Sequence, residues 1–122
     1  MTPITILLMG QMCSGKNAMQ VSRDGRHYPA ERFKVWRDIM LLQIKKQVPH
    51  DFKKINMPCS VAVNYTPGDL RRRDTPGIID ALCHVLERAM IVEDDCLLED
   101  WDFVKSSLNR ESPSCGLTIS KK

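Results

Sequence analysis

No run of apolar residues in this chain is long enough to cross a bilayer; the best, residues 4–9, has the length of a strand. No extended apolar region follows a charged start, so a cleaved secretory leader is not expected. The chain is expected to stay in the cytoplasm, with no membrane partner. No cysteine pair has the C-x-x-C spacing, which excludes the usual zinc motifs. The five cysteines, Cys13, Cys59, Cys83, Cys96 and Cys115, are odd in number, so a full disulfide framework is excluded and reduced thiols are expected. Repeats, linkers and low-complexity segments are also missing. The 122 residues leave room for one domain and one core, and their ordinary apolar content argues against disorder.

The net charge of +3 hides a segregation. Arg71, Arg72 and Arg73 are consecutive, and Lys45, Lys46, Lys53 and Lys54 form a second basic group. Against them stand Glu93, Asp94, Asp95, Glu99, Asp100 and Asp102. Basic patches suit a phosphate backbone, whereas an acidic cluster repels it unless a cation intervenes. A solvated surface of mixed charge is the plain alternative. A nuclease whose carboxylates hold a metal ion reconciles both patches.

Hydrophobic periodicity predicts an α+β domain, a mixed β-sheet with two main helices. Strands are expected over residues 2–9, 60–65, 97–106 and 117–120. Asp24-Gly25 signals a small hairpin. A helix is expected over 29–47, with Phe33, Trp36, Ile39 or Met40, and Gln43 or Ile44 on its inner face; Lys45 and Lys46 suit its negative end, and Pro49 stops it. A second helix is expected over 75–90. Thr75 is a fitting N-cap and Pro76 a fitting first residue, ahead of an apolar stripe of Ile78, Ile79, Leu82, Val85, Leu86, Ala89 and Met90.

The most informative segment is 71–105, RRRDTPGIIDALCHVLERAMIVEDDCLLEDWDFVK. An arginine run leads to Asp74 at the start of a helix, and Asp94 and Asp95 follow its end. Further on come Asp100, Trp101, Val104 and Lys105. Upstream lie a Ser-x-Lys-Asn pattern (Ser14, Lys16, Asn17), a Gly-Arg-x-Tyr pattern (Gly25, Arg26, Tyr28), and the pair Trp36-Arg37. In this arrangement the chain resembles the RusA-type family of Holliday junction resolvases over nearly its whole length, most specifically in 71–105. The resemblance implies a RusA-like fold and a metal-dependent endodeoxyribonuclease acting on four-way junctions as a homodimer. It implies Mg²⁺, with Mn²⁺ as a substitute, held by Asp74, Asp94 and Asp95. Magnesium prefers carboxylate oxygens and retained waters, so no histidine is required. Arg71, Arg72, Arg73, Lys16, Asn17 and Lys105 are the implied DNA contacts. A junction with two-fold symmetry needs two nicks, and a two-fold dimer presents two sites.

Two departures matter. The family's Asp-x-Asp-Asn motif has Pro76 and Gly77 in place of its second aspartate and its asparagine, and the family's helix lysine is here Asp80. Asp80 lies one turn past Pro76 on the same helix face, so it is a candidate substitute ligand, against the plain alternative of a surface pair with His84 or Arg88; Lys16 is a candidate substitute cation. An alternative is a dimer that binds junctions without cutting them. A further alternative is a phosphate-binding loop: residues 10–16 read G-x-x-x-x-G-K after a strand. Asn17 stands where that motif needs Ser or Thr, and Asp24-Gly25 interrupts the helix that should follow. No nucleotide cofactor is therefore expected.

Overall fold

The computed structural model describes every residue except 16–18, 22 and 72, and of residues 19–21 and 27–29 the backbone alone. Among the described residues, six strands and two α-helices follow in the order β1 (Ile4–Met9), β2 (Met19–Val21), β3 (His27–Pro29), α1 (Glu31–Gln47), β4 (Cys59–Thr66), α2 (Thr75–Arg88), β5 (Leu98–Lys105) and β6 (Ser114–Lys121). The fold is α+β, with a mixed four-stranded sheet ordered β1-β6-β4-β5 and a separate β2–β3 hairpin. Asp24-Gly25 makes the hairpin turn: Gly25 takes φ +84°, which a side chain would resist.

Alternation builds the sheet's inner face. Val61, Val63 and Tyr65 of β4, Cys115, Leu117 and Ile119 of β6, and Ile6 and Leu8 of β1 are buried in one cluster with both helices. β6 pairs with β1 on one side and β4 on the other. This central place extends it to Ser114–Lys121, beyond the expected 117–120, because a strand with two neighbours is set by backbone pairing and needs no apolar signal at its ends.

Helix α1 turns Phe33, Trp36, Met40 and Ile44 inward. Ile39, the alternative to Met40, is left exposed. Gln43 takes another role. Its Oε1 accepts from the Met9 N–H at 2.7 Å while its Nε2 donates to the Met9 carbonyl at 2.9 Å. Gln47, one turn on, does the same at Leu7, at 2.8 and 2.7 Å. Two side-chain amides thus take the place of a neighbouring strand along the free edge of β1.

Helix α2 buries Ile78, Ala81, Leu82, Val85 and Leu86. It ends two residues earlier than its apolar stripe. The Met90 N–H donates to the Glu87 carbonyl and the Ile91 N–H to the Leu86 carbonyl, each at 3.0 Å, which closes the helix in a Schellman motif. Met90 therefore lies outside the core, at φ 63°, where glycine is usual and a side chain costs about 1 kcal/mol.

Candidate active site

Strands β4 and β5 run parallel and are joined through α2, so the amino end of α2 lies toward the carboxyl ends of both strands. In parallel β-α-β units that is where ligands bind, and the helix's positive end favours anions. The loop after β4 is tied down by its own side chains. Gln11 donates from Nε2 to the Tyr65 hydroxyl at 2.5 Å and accepts at Oε1 from the Gly68 N–H at 2.6 Å. Arg73 makes a two-pronged pair with Asp69, at 2.6 and 3.2 Å. That guanidinium, with the Arg71 N–H bonded to the same carboxylate, holds Asp69 down at about 2. Asp69 in turn, with Tyr65 beside it, pushes the Arg73 guanidinium further up.

The expected basic contacts thus divide. Arg73 is mostly covered and holds the loop in shape. Arg71 is exposed, and Lys105 ends β5 opposite Tyr65, also exposed. Arg72, Lys16 and Asn17 lie outside the described residues.

Asp74 is the N-cap residue of α2, extended at φ −77°, ψ 144°, yet its side chain does not bond back onto the first turn. It meets Ser14 across Gly77: a Cβ on Gly77 would overlap the Ser14 Oγ and come within 2.6 Å of the Asp74 Oδ1. One turn further on, a Cβ on Gly15 would lie 2.9 Å from both the Ala81 nitrogen and the Asp80 Cβ. The two glycines let the Ser14-Gly15 segment lie directly on α2, between Asp74 and Asp80. The glycine at position 77 is thus explained by the close approach of Ser14.

Asp94 and Asp95 follow α2 at its other end. They lie beyond the carboxyl end of α2, in a segment that returns along the helix. Asp94 caps a short 3₁₀ turn, Asp95–Leu97, by accepting from the Cys96 N–H at 2.9 Å, and that bond holds its carboxyl below the ordinary range. The turn packs back on α2. Burial pushes the Cys83 thiol up to about 12, and the charges of Asp95, Asp80 and Glu87 add to the shift. Asp80 and Asp95 therefore share one neighbourhood around Cys83, while Asp74 stands with Ser14. His84 packs edge-on against Phe33, with ring centroids 5.2 Å apart.

The donor chemistry of Asp74, Asp80, Asp94 and Asp95 suits Mg²⁺, which takes carboxylate oxygens. Their placement does not gather them: no three His, Cys, Asp or Glu side chains among the described residues are close enough to hold one ion. Sequence reasoning missed Gln11, Tyr65 and Asp69 as organisers of the arginine loop. The four-residue spacing of Asp69 and Arg73 was the available signal. No protein-family model matches the chain, and the curated proteins give no match either.

Proposed function

We propose that this chain is a RusA-type protein of the cytoplasm that engages branched DNA, four-way junctions above all, as a homodimer, and hydrolyses phosphodiester bonds with Mg²⁺ or Mn²⁺. The support is the company Asp74 keeps: Ser14 docked beside it, and the loop bearing Arg71 and Arg73 leading directly into it. In this reading Arg71 and Lys105 neutralise backbone phosphates, and the amino end of α2 faces the same side of the sheet. Arg73 keeps the loop's shape and does not itself leave Asp69. The metal chemistry of this reading rests on the resemblance: Asp74, Asp80, Asp94 and Asp95 are the carboxylates it calls on, and among the described residues no three of them stand around one position.

A second reading, binding without cleavage, is favoured by a specific observation. Pro76 and Gly77 bring no carboxylate to the start of α2, and among the described residues no three carboxylates stand close enough to share one ion.

One experiment separates the two. A synthetic four-way junction is incubated with the chain in Mg²⁺, in Mn²⁺ and in EDTA. Paired symmetric nicks with either metal are expected. Asp74→Asn should lower them by no less than the roughly 10- to 100-fold that loss of a residue merely supporting a metal ligand costs. Tight junction binding in EDTA with no nicking in metal would establish the second reading. Indifference to branched DNA over linear duplex would end both.

A further inference from the structure

The end of the molecule away from Asp74 carries a different surface. An open groove of about 850 Å³ runs between the carboxyl ends of α1 and α2. Buried Ile44 and Ile91 form its floor, while Leu42 and Met90, each 60% exposed, stand at its sides. Lys45, Lys46, His50 and Arg88 also line it, and no acidic side chain does among the described residues. None of Lys45, Lys46 and Arg88 forms an ion pair among the described residues.

Helix dipoles account for basic residues at two helix ends. They do not account for Met90. Its left-handed backbone is unfavourable for a side chain, and its side chain is largely in water. Folding gains little from either feature; a partner that covers the side chain would. The exposed apolar stripe of α1, Val35, Ile39 and Leu42, leads into the same groove. A phosphate backbone would gain nothing from Leu42 or Met90, so nucleic acid fits poorly here, whereas carboxylates beside apolar anchors match both the lining and its charge.

We propose that this groove docks a short segment of another protein that presents apolar anchors flanked by carboxylates. Leu42 and Met90 take the anchors; Lys45, Lys46 and Arg88 take the carboxylates. The mode is that of an amphipathic helix in a groove. It does not depend on the function proposed for the other end of α2.

The test uses the full chain and two designed amphipathic peptides of about 15 residues with identical leucine anchors, one with glutamates on its polar face and one with lysines. Binding is read by fluorescence anisotropy and by methyl NMR of labelled methionines. The glutamate peptide should bind, shift the Met90 methyl signal, and bind at least about tenfold more tightly than the lysine peptide. Met90→Gly keeps the variant folded and separates the two effects: its thermal midpoint should rise, while its affinity for the glutamate peptide should fall about tenfold. Lys45→Glu with Lys46→Glu should reverse the preference between the peptides. The proposal is overturned by equal binding of both peptides, by no binding at about 1 mM, by full affinity in Met90→Gly, or by shifts confined to other methionines. It is overturned as well if Leu42→Glu dissolves a self-association of the chain, because the occupant would then be a second copy.

Discussion

Asp69 and Arg73 show how much of a basic loop can be structural. The arginine run reads in sequence as three equivalent phosphate contacts, yet Arg73 is held by Asp69 in a two-pronged pair, whereas Arg71 uses only its backbone N–H there. The pairing has a sign. Asp69 is lowered from its ordinary value of 3.8 to about 2, so its contribution to the folded loop is fully present above about pH 4 and is lost as pH falls toward 2. A carboxyl NMR titration should place its midpoint near 2, and Arg73→Gln should move it back toward the ordinary aspartate range. An unchanged midpoint in that variant would mean that the backbone bond from Arg71, not the guanidinium, governs this carboxyl. Asp69 and Arg73 are four residues apart, and that spacing was visible in the chain. That spacing sets Arg73 apart from Arg71, but whether the pair closes depends on the path of the loop, which Gln11 fixes through Tyr65 and Gly68.

At the scale of elements, both helices were legible from their three-to-four spacing, because an apolar stripe at that period has to face a core. Their outer details were not. Gln43 was an alternative to Ile44 as an inward residue, and instead it and Gln47 bond the open edge of β1. An unpaired edge strand is a template for pairing with another chain, and covering it is a known protection. At the opposite edge, β5 carries Glu99, Asp100, Asp102 and Lys105, which discourage pairing by charge. Replacing Gln43 and Gln47 together by alanine should cost about 1–2 kcal/mol, at the low end for four bonds because water can substitute in part. The variant should also gain mass with concentration in sedimentation velocity beyond any association of the parent protein. A variant that loses stability without new association would show that the amides only anchor α1. Helix α2 carries a similar lesson at its end: the stripe continued to Met90, but the Schellman closure ejects that residue, and only the path of Ile91 back to the core reveals it.

For the whole molecule, charge is distributed along α2. Arg71, Lys105 and Asp74 belong to the end at the carboxyl termini of β4 and β5, and Arg88, Lys45 and Lys46 to the other. If the first end meets DNA, affinity should fall linearly with salt on logarithmic axes. Arg71→Ala should reduce the slope by about one, as expected for a single phosphate contact. Met90→Gly, at the far end, should leave the slope unchanged; a slope altered by Met90→Gly and not by Arg71→Ala would invert the assignment. The sequence by itself determined the class of fold, the order of its elements and most of the core, because periodicity and turn chemistry are local properties. It also placed an arginine run and Asp74 at a helix start, since these are neighbours along the chain. Only the tertiary structure decided which groups meet. Two glycines let Ser14 lie against Asp74, and the chain after α2 turns back to bring Asp95 beside Cys83 and Asp80, because contacts between segments distant in sequence depend on how the elements pack.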